Sequence, residues 1–223
     1  MSDYLRTIYQ NYPKSFFPIK LANYLADRFF PKEGEILDVC CGNGEFCKFF
    51  NDKGLTAYGV DRDYNTNHLW QINRYKRFDL QNEPIPHPED TFDYVFTKSA
   101  IEHFPGTDEF LNEIYRVLKP GGQLVILTPA WEYNYKDFFN DYTHLKPFHR
   151  KGLQDALKIH RFKDVNVEYF YYLPFTWKYP WLKFIPKLLS PLSFLKWKDK
   201  EETRHRPFIR FCQEVQLLAS AKK

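Results

Sequence analysis

The chain has 223 residues, a formal net charge of +4 at pH 7 and an aromatic content of 19%. Its hydrophobic fraction of 43% and charged fraction of 27% are those of a globular protein, which excludes a disordered, collagen-like or coiled-coil chain. At the N-terminus, apolar residues at mixed three- and four-residue spacings predict a helical cap over residues 1–34, interrupted by Pro13 and Pro18.

The segment from residue 35 to residue 129 alternates between two apolar patterns. Short apolar runs predict buried strands, and apolar residues at helical spacing predict the helices between them. The predicted strands cover residues 36–39, 56–60, 92–96 and 123–127, and the clearest helix covers residues 108–118. Strands and helices that alternate in this way form a parallel sheet with helices on both faces.

The last part of the chain has a different pattern. Residues 130–150 are predicted to form a polar and aromatic loop, and residues 151–162 a short helix. Two strands, at residues 164–172 and 213–221, are predicted to pair as a hairpin. The insertion between them, residues 174–210, is rich in proline and aromatic residues. Its prolines at positions 180, 186 and 191 suit the first position of short helical turns, which predicts several such turns rather than one long helix.

A glycine turn, residues 41–44, connects the first predicted strand to the next helix. Its glycines let the backbone approach a ligand closely, and the helix N-terminus favours polar or anionic groups. Asp61 ends the next strand, where a carboxylate binds the ribose hydroxyls in dinucleotide folds. Asp61 alone would be compatible with a simple turn, but the two features together predict a nucleoside-containing ligand.

Several segments resemble, in order and at family spacing, the motifs of class I S-adenosylmethionine-dependent methyltransferases of the type 11 or type 23 kind. They cover residues 36–44, 58–61, 78–80, 90–103 and 116–126. The resemblance implies an α/β, Rossmann-like fold with a seven-stranded, mostly parallel sheet in the order 3-2-1-4-5-7-6. It also implies an antiparallel last strand and S-adenosyl-L-methionine as the cofactor.

The same resemblance implies one methyltransferase domain over residues 1–223. The helical cap at residues 1–34 would precede a cofactor-binding core at residues 35–129. Residues 130–223 would form the half that receives the methyl acceptor and would include the insertion. A nicotinamide-dependent reductase remains an alternative, because such enzymes bind their cofactor with a similar glycine-rich loop. That alternative does not account for Asp38 or Asp79.

Roles for individual residues follow from the resemblance. The glycine loop would line the methionine and ribose side of the cofactor, and Asp61 with Arg62 beside it would bind the ribose hydroxyls. Asp79 would accept a hydrogen bond from the adenine amino group, and Leu80 would lie against the ring. The predicted cofactor-binding residues are Asp38, Cys40, Gly42, Gly44, Asp61, Arg62, Asp79, Leu80, Thr97, Lys98 and Ser99.

Cys40 stands where the family has the first glycine of its loop. A small side chain fits a tight turn if its φ angle remains negative, so we expect cofactor binding to be retained. We interpret Cys40 and Cys41 as small buried residues rather than reactive thiols. Because the four cysteines form no zinc or disulfide pattern and no secretory or membrane-spanning segment is recognised, we expect a reduced, cytoplasmic protein without a bound metal.

Two histidines are candidates for the chemistry at the acceptor. Methyl transfer is an in-line displacement, and histidine is the usual base when a hydroxyl acceptor loses its proton. His144 lies in a stretch, residues 141–150, that resembles the Thr-His-aromatic-Pro-Phe segment of this subgroup, with Leu145 at the aromatic position. We predict His144 as the first catalytic candidate and His103 as the second; a structural role is the alternative for each.

The predicted activity is O-methylation of a small molecule, a glycan or a lipid-linked precursor. The residues after the fourth strand lack the Asn/Asp-Pro-Pro-aromatic signature of enzymes that methylate the exocyclic amines of bases, which disfavours that substrate class. RNA or a protein side chain is the alternative acceptor. From another class, the chain would be a non-catalytic S-adenosylmethionine-binding module.

The insertion carries nine basic and three acidic residues, so the rest of the chain is slightly acidic. Trp177, Trp181 and Trp197 lie among its lysines. Three interpretations remain open: a lid that covers the acceptor, a peripheral contact with an anionic membrane, and a nucleic-acid surface. Lid and membrane contact are compatible with each other.

Overall fold

A computed structural model describes residues 17–62, 74–79, 82–189, 212 and 214–223. These residues form a seven-stranded sheet in the order β3-β2-β1-β4-β5-β7-β6, which confirms the predicted order. The strands are β1 Glu35–Val39, β2 Thr56–Asp61, β3 Tyr75–Arg77, β4 Phe92–Lys98, β5 Leu118–Pro129, β6 Lys163–Phe170 and β7 Gln216–Lys222.

Helices lie between the strands. The α-helices are α1 Phe17–Phe29, α2 Glu45–Asp52, α3 Thr107–Val117, α4 Trp131–Asn134, α5 Arg150–Ile159, α6 Pro174–Lys178 and α7 Phe184–Leu189. Three short 3₁₀ turns cover Ile101–His103, Phe138–Asn140 and Pro180–Lys183. Among the described residues, no helix is both long enough and apolar enough to cross a membrane.

Strand direction determines where a site can form. Strands β3, β2, β1, β4 and β5 pair in parallel, and β7 is antiparallel to both β5 and β6. The carboxyl ends of β1, β2 and β4 therefore meet at one edge of the sheet. The predicted Rossmann-like fold with an antiparallel last strand is confirmed.

Each face of the sheet has its own core, because side chains alternate along a strand. Ile36 and Phe96 pack with α1 and α2, whereas Leu37 and Val95 pack on the opposite face with α3 and α5. On the first face, rings contact one another in a cluster with centroid separations between 5.0 and 6.0 Å. The rings are those of Phe30, Phe46, Phe50 and Phe96. Part of the aromatic excess therefore fills the core.

Strand β5 begins earlier than the pattern predicts. Leu118 already pairs with Phe92, and a register shift follows before the regular ladder resumes. Gly121 adopts a φ angle of 78°, and its N–H donates to the carbonyl oxygen of Lys223. Residues 119–122, Lys-Pro-Gly-Gly, are thus part of β5, because Lys223 at the end of β7 supplies their hydrogen-bond partner.

The described part of the insertion consists of short helical turns, as its prolines predict. Pro174 and Pro180 begin α6 and the following 3₁₀ turn. Pro186 differs from the prediction, since it is the third residue of α7 rather than the first. Residues 190–210 of the insertion and residues 1–16 of the predicted cap lie outside the described residues.

Candidate functional site

A cavity of about 430 Å³ lies at the edge of the sheet where β1, β2 and β4 end. Its volume is typical of a small-ligand site, and open α/β sheets bind ligands beyond the carboxyl ends of their strands. The wall combines carboxylates, cations and aromatic rings. Its acidic and cationic residues are Asp38, Glu45, Asp61, Arg62, Asp79 and Lys98.

The glycine loop is fixed to the end of β2 by backbone hydrogen bonds. The N–H groups of Cys40 and Cys41 both donate to the carbonyl oxygen of Val60, at 2.8 and 3.1 Å. The N–H of Gly42 donates to the Asp61 carboxylate at 2.8 Å. The loop and the carboxylate are therefore positioned as one unit on the cavity wall.

Cys40 adopts a φ angle of 61°, so the expectation that its φ would remain negative is wrong. The turn that brings two successive N–H groups to Val60 uses a left-handed conformation, which costs a residue with a side chain about 1–2 kcal/mol. Ser99, also on the cavity wall, has a φ angle of 52°. Among the described residues, two of the five non-glycine residues with positive φ angles thus lie on the cavity wall.

Burial shifts the pKa of several groups at the carboxyl ends of β1 and β4. Burial, and then the neighbouring Asp61 carboxylate, raises the pKa of the Cys40 thiol well above its ordinary value, which supports an unreactive thiol. Burial also raises the pKa of Asp38 well above its usual range. It lowers the pKa of Lys98, against the attraction of the carboxylates of Glu102 and Asp38.

His103 lies on the cavity wall and is held from behind by the loop after β5. The Thr143 hydroxyl lies 2.6 Å from the Asp141 carboxylate and donates its single hydrogen there. Its oxygen and the Thr143 carbonyl oxygen, 2.9 and 3.1 Å from His103 Nδ1, therefore act as acceptors. His103 Nδ1 thus carries a hydrogen. Burial, and then the neighbouring His144, lowers the pKa of His103.

His144 lies behind His103 rather than on the cavity wall. Its Nδ1 donates to the carbonyl oxygen of Phe138 at 2.6 Å, and its ring centroid is 4.7 Å from that of His103. Its neighbours Thr143 and Leu145 line the cavity. Glu102 is fully buried beside the pair, and burial raises its pKa to about 7.

Comparison with known families decides what kind of domain this is. A family model described as a methyltransferase domain matches residues 13–167. The chain belongs to this family. A solved S-adenosylmethionine-dependent methyltransferase from Archaeoglobus fulgidus has the same fold, with a TM-score of 0.69 and 22% identity over 99% of this chain and 100% of that one. The predicted methyltransferase family is thus confirmed, and the fold is that of a solved S-adenosylmethionine-dependent methyltransferase, the class that the resemblance implies.

Two other similar proteins carry more specific names. A demethylmenaquinone methyltransferase from Listeria welshimeri is 32% identical over 128 residues, which are 50% of this chain and 52% of that protein. The chain thus spans about half the length of the curated relatives it matches. A structure of Haemonchus contortus phosphoethanolamine N-methyltransferase 2 has a TM-score of 0.61 and 21% identity over 91% of this chain and 52% of that one.

Most of the predicted cofactor residues line the methyltransferase cavity. Those on its wall are Asp38, Cys40, Gly42, Asp61, Arg62, Asp79, Lys98 and Ser99. Gly44 instead caps α2, with a φ angle of 72°, and Thr97 is buried behind the wall. Leu80 lies outside the described residues. This lining fits the charged methionine part and the adenosine of S-adenosylmethionine. It combines carboxylates, which bind hydroxyl and ammonium groups, with a lysine and aromatic rings.

Sequence reasoning missed the apolar wall of the methyltransferase site. Four phenylalanines line the cavity: Phe46, Phe78, Phe96 and Phe104. Apolar periodicity assigns such residues to the core, and Phe96 does contribute to it. Position in the motifs was the available signal, because Phe46 follows the glycine loop within the first turn of α2, and Phe104 follows His103.

Proposed function

We propose that this methyltransferase transfers a methyl group from S-adenosylmethionine to a hydroxyl group of a small-molecule, glycan or lipid-linked acceptor. The observation that supports a hydroxyl acceptor is the position of His103, on the wall of the cavity that also contains the predicted cofactor residues. A hydroxyl oxygen becomes a good nucleophile when its proton is removed or polarised, and imidazoles are suited to that task near neutral pH.

The cofactor residues are proposed to act as the family resemblance implies. Asp61, already oriented by the Gly42 N–H, would accept hydrogen bonds from the ribose hydroxyls. Asp79 would accept from the adenine amino group, and Lys98 and Ser99 would lie beside the methionine part. When bound, S-adenosylmethionine supplies an electrophilic methyl group. The residues of the chain then align the acceptor with that methyl and exclude water.

Activation of the acceptor is proposed to take place at His103 with His144 behind it. Asp141 and Thr143 fix the tautomer of His103 through a hydrogen-bonded chain, so that Nδ1 carries the hydrogen and Nε2 presents a lone pair when the ring is neutral. Burial, and then the neighbouring His144, lowers the pKa of His103, which favours the neutral ring. His144 is therefore proposed to support His103 rather than to contact the acceptor.

A quinone-type acceptor is a second candidate. It is favoured by the similarity to the Listeria welshimeri protein named demethylmenaquinone methyltransferase. An apolar ring would also suit the phenylalanine-lined wall. Methylation at a ring carbon rather than at oxygen would distinguish this candidate from the first.

The described part of the insertion is proposed to contact an anionic membrane surface. Trp181 and Leu188 are 70% and 69% exposed, and Lys178 and Lys187 are exposed beside them. The lining of the cavity includes no residue of the described segment 174–189, which favours a surface contact over a lid for this part. Exposed tryptophan and leucine among lysines are typical of interfacial binding, which suits a lipid-linked acceptor.

Untargeted mass spectrometry tests the proposed function. Purified protein and S-adenosylmethionine are added to cell extract, and the expected result is a product heavier by one methylene that is absent without the protein. Asp61→Ala should abolish its formation, and Glu89→Ala, an exposed carboxylate away from the cavity, is the matched control. Binding of S-adenosylhomocysteine with no product from any extract would instead indicate a non-catalytic module, and binding of NAD(P) would indicate a reductase.

A further inference from the structure

We infer that Glu102, His103 and His144 bind a divalent transition-metal ion at the wall of the cavity. One possible ligand atom from each residue lies within 4.8 Å of those of the other two. Metal–ligand bonds of about 2.1 Å require these atoms to approach one another by roughly a further 1 Å, which small side-chain rotations supply. Two imidazoles and one carboxylate are a recurrent ligand set for zinc and for non-haem iron.

The atoms that would not contact the ion are already held by neighbouring groups. Histidines that bind metals usually donate their second ring N–H to a carbonyl or another oxygen, which fixes tautomer and orientation. His144 Nδ1 donates to the Phe138 carbonyl oxygen at 2.6 Å, and His103 Nδ1 donates to Thr143. Glu102 Oε2 accepts from the Thr128 hydroxyl at 2.9 Å. All three side chains are thus oriented as metal ligands are.

Glu102 provides an independent observation. The residue is fully buried, and its Oε1 has no hydrogen-bond partner among the described residues. A buried carboxylate oxygen without a partner is costly, and a bound cation would satisfy it. The Asp141 carboxylate, 3.9 Å from His144 Nε2, adds further negative charge beside the cluster.

The ligand types select the class of ion. Imidazole nitrogens favour Fe²⁺, Co²⁺ or Zn²⁺ over Mg²⁺ and Ca²⁺, which prefer sites made of oxygen ligands. Three protein ligands leave at least one coordination position open, and His103 is the ligand that lines the cavity. The open position is therefore inferred to face the acceptor.

The catalytic role of the ion rests on the proposed function, whereas its binding does not. A hydroxyl coordinated here has a lowered pKa and releases its proton to solvent water. Its oxygen then attacks the methyl carbon as the carbon–sulfur bond breaks, and the bonding electron pair moves to the sulfur of S-adenosylhomocysteine. With the ion bound, His103 acts as a ligand, and the ion takes over the activation of the hydroxyl.

Titration of the full chain with metal tests the inference. Protein stripped with EDTA is titrated with Zn²⁺ by calorimetry and with Co²⁺ by visible absorption, and we expect one ion per chain. Glu102→Gln and His144→Ala should each weaken binding at least tenfold, and Thr128→Val should weaken it by about tenfold through loss of orientation. His149→Ala, whose side chain is 58% exposed, is the matched histidine control and should bind normally.

A measurement on the unmodified chain guards against variants that fold poorly. Nuclear magnetic resonance of the imidazole nitrogens should show two histidines shifted by one equivalent of Zn²⁺. The absence of one-to-one binding, or binding that Glu102→Gln and His144→Ala leave unchanged, would overturn the inference. Methylation that is unaffected by EDTA would overturn the catalytic role. Failure of the proposed function looks different, because the ion would bind but no acceptor would be methylated.

Discussion

The proposed cofactor half of this methyltransferase, residues 35–129, and its proposed acceptor half, residues 130–223, differ in how far their apolar residues are buried. Ten large hydrophobic side chains are exposed among the described residues, and nine of them follow residue 130, Ile19 being the exception. Between residues 35 and 129 the described large apolar side chains are packed on the sheet or line the cavity. The first half is therefore a closed binding unit, whereas the second presents apolar surface.

Eight of these nine residues form two groups, and the ninth, Ile159, is the last residue of α5. One group lies in the segment after β5 and comprises Tyr135, Phe139, Tyr142 and Leu145, of which Leu145 lines the cavity. The other follows α6 and comprises Tyr179, Trp181, Phe184 and Leu188. Single exposed apolar residues need no explanation, but grouped ones mark interaction surfaces. We therefore expect the acceptor to be recognised by surfaces that residues 35–129 do not present.

The largest effect is expected in the cofactor half, at Asp61. Replacing Asp61 by alanine removes two predicted bonds to ribose hydroxyls and the partner of the Gly42 N–H. Affinity for S-adenosylhomocysteine should fall by about 100-fold, near 3 kcal/mol, as measured by calorimetry. Glu89→Ala should have no effect. If Asp61→Ala and Asp79→Ala both bind normally, the motif assignment is wrong.

Two tryptophans four residues apart, Trp177 and Trp181, test the difference between packed and exposed aromatic side chains within residues 130–223. Trp177 stacks on Phe170 at 5.3 Å and donates its ring N–H to the Tyr171 carbonyl oxygen. Trp177→Ala should cost about 2 kcal/mol of unfolding free energy, because it removes partly buried packing and a hydrogen bond. Trp181→Ala should change stability by less than about 0.5 kcal/mol, since its side chain is exposed. Denaturant unfolding measures both.

The same pair separates surface binding from stability. Trp181→Ala should reduce pelleting with anionic liposomes, deletion of residues 178–198 should abolish it, and high salt should weaken it in the intact chain. Pelleting that is unchanged by the deletion would contradict the proposed membrane contact. RNA that binds to the intact chain but not to the deletion variant would instead favour the nucleic-acid surface.

His87 should make the cofactor half sensitive to acid. Its ring packs edge-on against Tyr58 and Phe92, and burial, with Lys76 and Arg116 nearby, lowers its pKa to about 4. Between pH 6.5 and 4 the unfolded chain therefore binds a proton that the folded chain does not. The free energy of unfolding thus decreases as the pH is lowered.

The expected loss is about 1–2 kcal/mol, which allows for the partial exposure of the ring. The free energy of unfolding is measured at pH 7 and pH 4.5. Its decrease between these two pH values should be smaller by this amount in His87→Gln than in the wild type. The same pH dependence in both proteins would show that another group is responsible.

The smallest effect is expected at the glycine loop, where Cys40 and Cys41 form a matched pair. Cys40→Gly should raise stability by about 0.5–1 kcal/mol, because glycine adopts the positive φ angle without strain. Cys41→Gly should lower stability by a similar amount, since Cys41 has no positive φ to relieve. Thermal unfolding compares the two. A marked loss in Cys40→Gly would mean that packing of the thiol outweighs the backbone strain.

The sequence predicts the framework well because the framework depends on local patterns. The strand predicted at residues 36–39 is observed at Glu35–Val39, and the helix predicted at residues 108–118 is observed at Thr107–Val117. Buried parallel strands are continuous apolar runs, and the intervening helices have one apolar face, so both are visible in a single sequence.

The details of the site depend on contacts between distant segments. The positive φ angle of Cys40 belongs to a turn whose two N–H groups meet the carbonyl oxygen of Val60. His144 donates to the carbonyl oxygen of Phe138, where a 3₁₀ turn begins, and this leaves His103 on the cavity wall. Neither contact has a signal in residue spacing, which is why the sequence ranked His144 before His103.

Transfer of a ¹³C-labelled methyl group from S-adenosylmethionine tests the central claim most directly. Extract is incubated with the full chain, and nuclear magnetic resonance of the purified product identifies the atom that carries the label, since methyl carbons bound to oxygen, nitrogen and carbon have distinct chemical shifts. We expect an oxygen-bound methyl whose formation is lost in Asp61→Ala. A label on nitrogen or on carbon, or a chain that binds S-adenosylhomocysteine yet transfers no label, would contradict transfer to a hydroxyl group.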